Sequence, residues 1–377
     1  MDKWQLSQTK LKQYPHFDKP LSIREAVALA SDPQRVRSHG FFPFIRFENR
    51  WTRFRREGED RKKKIRFLRY AARADSYIYS CYRHILSERY EEILKKEQLT
   101  ESVIAYRKIA VGGGRRGGKS NIHFSKEAFD FITSTDRCCA ITLDISSYFD
   151  CIDHRRLKDT WERLLAVPRL PEDHFQVYKS ITSYAEVERD ALYARLGYLK
   201  RNKFGGAEYT LPKRMMPRQL CSPADFRLKV ANDGPHGPKL ILKNKERFGI
   251  PQGAAISDLL ANAYLLEFDL EMAEYARRRQ GLYRRYSDDI LIIVPGDGRA
   301  GRAAREYACR LIKRFGEQLR IKPEKSSTIR FVSSGGTHNA QRIGGRGRTD
   351  GLEYLGFRSM VETSTSVTAL SAISTAR

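Results

Sequence analysis

The stretch Tyr286-Ser287-Asp288-Asp289-Ile290-Leu291-Ile292-Ile293-Val294 sets two adjacent carboxylates directly in front of an apolar run. Leu291 to Val294 reads as a buried strand that stops at Pro295-Gly296-Asp297-Gly298, a strong turn signal, so the pair falls at the tip of a hairpin. Neighbouring carboxylates repel each other and are costly to desolvate, and a pair tied to a buried strand needs a counter-charge. A divalent cation supplies one. Upstream, Ile141-Thr142-Leu143-Asp144-Ile145-Ser146-Ser147-Tyr148-Phe149-Asp150 ends a strand candidate, Cys139 to Ile145, with another acid. Between the two, Gly249-Ile250-Pro251-Gln252-Gly253-Ala254-Ala255-Ile256-Ser257 is a glycine and proline turn leading into a helix. Hard oxygen ligands with few nitrogens or sulfurs select magnesium or manganese, and Asp144 would complete with Asp288 and Asp289 a cage for two such ions. Such a pair of ions activates an attacking 3′-hydroxyl and stabilises leaving pyrophosphate in nucleotidyl transfer. An Asp-Asp pair alone is weak evidence, because most sit in solvated turns; the three segments in this order carry the reading.

The bulk composition points the same way. The chain has 377 residues, 41% hydrophobic and 31% charged, which is ordinary for a folded protein with two or three substructures. Its 70 Lys plus Arg against 45 Asp plus Glu give a net charge of +25, a broad positive field whose natural partner is a polyanion, nucleic acid above all. Residues 46–69 hold eleven basic and four acidic residues interleaved with Trp51, Phe54 and Phe67, as suits phosphate neutralisation and base stacking as well as a solvated face. Six scattered cysteines without a C-x-x-C pair or a His cluster read as reduced structural thiols. With no signal-peptide core and no run near the 18 or so apolar residues of a membrane span, the expectation is a cytoplasmic protein.

Helical periodicity runs through Ile23, Ala26, Val27 and Ala30, again over 76–98 on Tyr77, Ile78, Cys81, Tyr82, Ile85 and Leu86, and over Ala261 to Arg278 with Leu265, Phe268, Leu270 and Met272 inward. Strands and helices mix without regular alternation, which favours an α+β architecture. Gly112 to Ser120 ends in Gly118-Lys119-Ser120, and Gly113 satisfies the count of a phosphate-binding P-loop. The preceding strand, Ile109-Ala110-Val111, is too weak for one, so this is read as a flexible basic loop.

The three acidic and glycine segments resemble motifs A, B and C of reverse transcriptases, with Tyr286-Ser287-Asp288-Asp289 standing for the family's Tyr-x-Asp-Asp. Lys64-Ile65-Arg66 resembles the basic fingers strand, Ala105-Tyr106-Arg107 and Gly118-Lys119-Ser120-Asn121 the second fingers motif of bacterial enzymes, Lys322-Pro323-Glu324-Lys325 motif D, and Tyr354-Leu355-Gly356 the primer grip. Coverage is about residues 60–357. Among bacterial relatives, Tyr14 to Ser22 and Asp75 to Ser80 look like the abortive-infection, antiphage defence group.

The resemblance implies a right-hand polymerase of fingers and palm, with the thumb absent or truncated. Residues 1–60 are then an N-terminal extension, 61–140 fingers, 141–169 palm with motif A, 170–250 an insertion without assignment, and 251–357 palm with motifs B to E. It further implies Asp144, Asp288, Asp289 and the Ile145 carbonyl as metal ligands, and Phe149 as a gate against the 2′-hydroxyl. Arg66 and Gln252 would hold the nucleotide, Lys325 would protonate pyrophosphate, and Arg107, Lys119, Tyr354, Leu355 and Gly356 would hold nucleic acid. The partners are an RNA template, a DNA product and dNTPs, with a DNA or protein primer. The alternatives are an RNA-dependent RNA polymerase, against which the bulky Phe149 argues, and a basic nucleic-acid-binding protein with a relic palm, against which the intact carboxylates argue.

Residues 358–377 are Ser/Thr-rich and lack strand alternation, so they read as disordered. With two bases skipped, compatible codons encode Ile-Asp-Gly-Arg-Asn-Val-Tyr-Ile-Arg, the hairpin of relatives, which reads as a shift of frame.

Overall fold

Asp144 and Asp289 owe their place to two strands whose interiors are almost wholly apolar, Arg137–Asp144 and Asp289–Pro295. In the computed structural model, residues 4–52, 63–111, 117–202, 206–334, 337–345, 351–359 and 370–372 are described. Among them the strands, in chain order, are β1 (Phe44–Thr52), β2 (Lys63–Tyr70), β3 (Arg137–Asp144), β4 (Ala185–Glu188), β5 (Leu199–Arg201), β6 (Ala207–Tyr209), β7 (Leu242–Lys243), β8 (Leu282–Tyr286), β9 (Asp289–Pro295), β10 (Ser327–Ser334), β11 (Thr337–Gly345), β12 (Glu353–Tyr354), β13 (Phe357–Ser359) and β14 (Leu370–Ala372). The helices include Ile23–Ala30, Arg73–Lys96, Asn121–Thr133, Ser257–Tyr264, Leu266–Arg277 and Gly298–Leu311. The architecture is mixed α+β. No helix among the described residues is long and apolar enough to cross a membrane.

The chain divides into two compact units whose segments interleave along the sequence. The first holds residues 1–51, 63–90 and 153–260. Its sheet has the order β2-β1-β4-β7, with β1 and β4 parallel and β4 and β7 antiparallel. The insertion is therefore built into this unit: Val187, Leu192, Leu220 and Val230 bury against Phe17 and Ile45 from the N-terminal segment. The helix Ile23–Ala30 starts where its sequence says it should, on a capping box in which Ser22 and Glu25 exchange bonds.

One buried group in this unit titrates. His16 is fully buried, its Nδ1 accepts the Phe17 N–H (2.9 Å), and burial, reinforced by the nearby Arg73 guanidinium, lowers its pKa from 6.5 to about 3. A histidine kept neutral by folding takes its proton only when the chain unfolds. Its stabilising share is therefore complete above pH 6.5 and declines as pH falls towards 3. Urea denaturation at pH 7 and pH 5 should differ by about 2 kcal/mol from this group, and His16→Asn should remove that difference. An unchanged pH slope in the variant would contradict the assignment.

The second unit holds residues 52–62, 91–152 and 261–377 and is built on an antiparallel sheet of order β11-β10-β3-β9-β8. β3 and β9 lie near its middle with almost wholly buried patterns, as continuous apolar strands do when both faces are covered. One face, carrying Cys138, Ala140, Leu291, Ile293, Ile329 and Phe331, packs on Ala128, Phe129 and Ile132 of the helix Asn121–Thr133. Against β3 lies the helix Gly298–Leu311, and Gly301 lets it approach: a Cβ there would stand 2.7 Å from the Cys139 Cβ. The expected helix from Ala261 to Arg278 is two helices, broken at Leu265; Leu265, Phe268 and Met272 are buried as expected, and Leu270 is half-buried.

Of the terminal segment 358–377, the described residues are Arg358, Ser359 and Leu370–Ala372; the last three pair with β13 as strand β14. The frame-shift expectation falls largely on 360–369 and 373–377, which lie outside the described residues, as do 112–116 of the glycine loop and 53–62 of the basic stretch.

Candidate active site

β3 and β9 run antiparallel with Asp144 directly opposite Asp289. Because side chains alternate across a strand, opposite residues share a face, here the face of Cys138, Ala140, Leu291 and Ile293. β8 and β9 are joined by two residues, Ser287 and Asp288, with Tyr286 paired to Asp289. Ser287 takes the positive φ of +58° that a two-residue hairpin needs. The sheet thus delivers all three acids to one end. Ile145 is buried, and its N–H donates to the Asp288 carbonyl (3.0 Å), tying the turn to the end of β3.

Asp144 is 7% exposed, whereas Asp288 is half-buried and Asp289 exposed. Its Oδ2 accepts from Lys325 Nζ (2.7 Å), and Lys322 Nζ stands 3.4 Å from Oδ1. Oδ1 itself is buried and accepts no hydrogen bond. Among the described residues no three His, Cys, Asp or Glu side chains converge at metal-ligating spacing. The donor set nonetheless fits a hard cation: every candidate ligand is oxygen, and Asp144 keeps a buried acceptor that takes no hydrogen bond.

Behind the turn lies a charged cluster that the sequence reading missed. Arg285 and Asp269 are both fully buried, joined by Nε–Oδ1 (2.7 Å) and Nη2–Oδ2 (2.5 Å). Arg285 also donates to the Ser287 carbonyl (3.1 Å) and to the Asn262 carbonyl (2.8 Å). The Tyr283 hydroxyl donates to Asp269 (2.6 Å), and Asn262 Nδ2 donates to the Ala105 carbonyl (2.7 Å). Burial raises the Asp269 pKa, against the pull of Arg285 and Tyr283. The guanidinium therefore anchors the carboxylate turn from beneath. The available signal was Arg284-Arg285 inside a strand, a place where a charge must be paired.

Residues 102–104 lie along β8 through a Val103–Arg285 bridge. Tyr106 follows with φ +59° and its hydroxyl 3.3 Å from Ser287 Oγ. Tyr286 and Leu355 both pack on a small core of Ile104, Ile109 and Phe124. The Ala105-Tyr106-Arg107, Tyr286-Ser287-Asp288-Asp289 and Tyr354-Leu355-Gly356 segments, far apart in sequence, are thus neighbours.

Several predicted contact residues turn out to be committed inside this unit. The Arg107 side chain is 4% exposed and donates both Nε and Nη2 to Glu91 (2.6 Å each) and Nη1 to the Thr100 and Val103 carbonyls, which braces the chain here. Lys119 bonds Glu127 (2.7 Å) and Glu101 (3.2 Å); burial works against its charge, but the two carboxylates prevail and raise its pKa. Ser120 caps the helix Asn121–Thr133 directly after it. Tyr354 is 4% exposed, and burial raises its pKa. Leu355 and Gly356, both with positive φ, form the tight turn between β12 and β13. Phe149 is half-buried in the turn after β3, its ring edge-on to Tyr148 (6.1 Å).

Arg66 and Gln252 belong to the first unit. Arg66 is exposed on β2. The Gln252 carbonyl accepts the Arg69 N–H (2.9 Å), and Gly253 (φ +113°) leaves room for this contact, since a Cβ would lie 2.4 Å from the Arg69 oxygen.

No family model matches the chain, and no curated protein is similar to it in sequence. Among solved structures it is similar to the apo telomerase from Candida Tropicalis truncated from its C-terminal domain, with 11% identity and a TM-score of 0.48 over 83% of this chain and 53% of that one. It is similar also to the telomerase from Candida albicans in complex with the TWJ fragment of telomeric RNA, with 10% identity and a TM-score of 0.45 over 91% of this chain and 47% of that one. The chain spans about half the length of these telomerases.

Proposed function

We propose that this chain is a reverse transcriptase, adding dNTPs to a primer on an RNA template. The observation that carries the proposal is the pairing of Asp144 with Asp289 across β3 and β9, with Asp288 in the adjoining two-residue turn. Two Mg2+ or Mn2+ ions, when bound, would lower the pKa of the 3′-hydroxyl and neutralise the leaving pyrophosphate. Asp144, Asp288, Asp289 and the Ile145 carbonyl would hold them. Arg285 keeps the turn in register through the Ser287 carbonyl, so that Asp288 and Asp289 need not be reorganised when substrate arrives. Lys325, already within reach of Asp144, is the group that delivers a proton to the leaving phosphate. Arg66 would engage the triphosphate through its guanidinium and Gln252 the base. The basic field of +25 supports binding of the RNA and DNA backbones. A place in antiphage defence is proposed on the resemblance of Tyr14 to Ser22 and Asp75 to Ser80 alone.

An RNA polymerase is the competing reading, and Phe149 separates the two. A ring beside the sugar excludes a 2′-hydroxyl, so Phe149→Val should raise rNTP use relative to dNTP by about 10-fold to 100-fold, the scale of one lost pocket contact. Single-nucleotide extension of a primed RNA with dNTPs or rNTPs supplied separately measures the ratio. An active variant with unaltered preference removes Phe149 from this role, and a wild-type preference for rNTPs overturns the DNA-polymerase reading.

A further inference from the structure

Two lysines crowd one carboxylate. Lys325 Nζ lies 2.7 Å from Asp144 Oδ2 and Lys322 Nζ 3.4 Å from Oδ1. The carboxylate is 10% exposed, the two ammonium-bearing side chains 26% and 41%. The backbone beneath is fixed: Lys322 N–H donates to the Asp144 carbonyl (2.8 Å), Ser146 N–H to the Arg320 carbonyl (2.8 Å), and Ile145 bridges Ile321. The loop therefore cannot drift away from Asp144, whereas the long side chains can swing. Together the ammonium groups bring two positive charges to one acid, the charge of a divalent cation. They satisfy Oδ2 but leave Oδ1, buried, without a hydrogen bond.

We propose that Lys322 and Lys325 hold Asp144 in the place of the metal, and release it when the polyphosphate of an incoming nucleotide draws the ammonium groups away. This rests on the metal-binding reading of Asp144. Like charges a few ångströms apart in a poorly solvated site repel strongly, so the lysines must leave the carboxylate before it can ligate a cation. A triphosphate is the one substrate group with enough charge to receive both. Cation and nucleotide then favour each other's binding without touching the same protein atom, since each removes what blocks the other. Between turnovers the lysines also spare the fold a bare buried carboxylate.

The test is Mn2+ titration of the nucleotide-free protein, with free Mn2+ followed by its paramagnetic resonance signal. In Lys322→Met/Lys325→Met the affinity of the Asp144-dependent site should rise about tenfold, or about 1.4 kcal/mol. Lys325→Arg keeps the charge and should leave the affinity as in the wild type. In EDTA, a fluorescent dNTP should bind the wild-type protein and lose about tenfold in affinity in the double Met variant. Equal or weaker Mn2+ binding in the double variant overturns the inference, as does unchanged dNTP binding. If Asp144→Asn removes Mn2+ binding from the wild type while the lysine variants change nothing, only the lysine inference fails. If Mn2+ binding does not depend on Asp144 at all, the metal-site reading fails with it.

Discussion

Replacing both Asp288 and Asp289 by Asn should lower nucleotide incorporation at least about 1000-fold, some 4 kcal/mol of transition-state stabilisation. The loss should come without unfolding. Asp289 is exposed and Asp288 half-buried at the tip of a two-residue turn, so the substitutions keep shape and relieve the repulsion between two adjacent carboxylates. Thermal stability should hold or rise slightly. RNA affinity should also hold or rise, because two negative charges leave a surface that is already strongly positive. Incorporation assays beside a filter-binding measurement separate these effects. A double variant that polymerises near the wild-type rate would remove the pair from catalysis, and one that loses RNA binding in parallel would make it part of a binding surface instead.

The second large effect is expected at Arg285. Arg285→Met strands the Asp269 carboxylate in a site with no exposure and should cost about 3–5 kcal/mol of stability, visible as a lower urea midpoint. The paired replacement Arg285→Met/Asp269→Leu removes both charges and should recover most of that stability. Activity should not return with it. The Ser287 carbonyl still lacks its donor, and a turn misplaced by even an ångström costs on the order of 100-fold in rate. A stable double variant with full activity would show that the buried pair serves the fold alone.

Which features were legible in the sequence follows from how local they are. The strands bearing Asp144 and Asp289 are largely apolar runs, so their ends, expected at 139–145 and 291–294, fell within two residues of those found. The face of the Arg73–Lys96 helix was legible for the same reason, with Tyr77, Ile78, Cys81, Tyr82 and Leu86 buried and Ile85 half-buried. Arg285 and Asp269 were not. Each is a charged residue in an element that reads as ordinary, and only a partner 16 positions away makes its burial tolerable. Arg107 is a similar case: its motif was read for nucleic acid, and its ties to Glu91 and to two carbonyls are between positions that no local pattern connects. Residues 170–250 defied assignment because their strands run four residues or fewer, too short for period-two alternation to register. The break at Leu265 carries no glycine or proline to announce it.

The most direct measurement is the sequence of the product. Purified protein is given Mg2+, a primed RNA of defined sequence and the four dNTPs, and the extended strand is sequenced. The account predicts DNA complementary to the RNA, made by the wild type and absent with Asp288→Asn/Asp289→Asn. A product unrelated to the template, or one whose yield is the same in that variant, would contradict it.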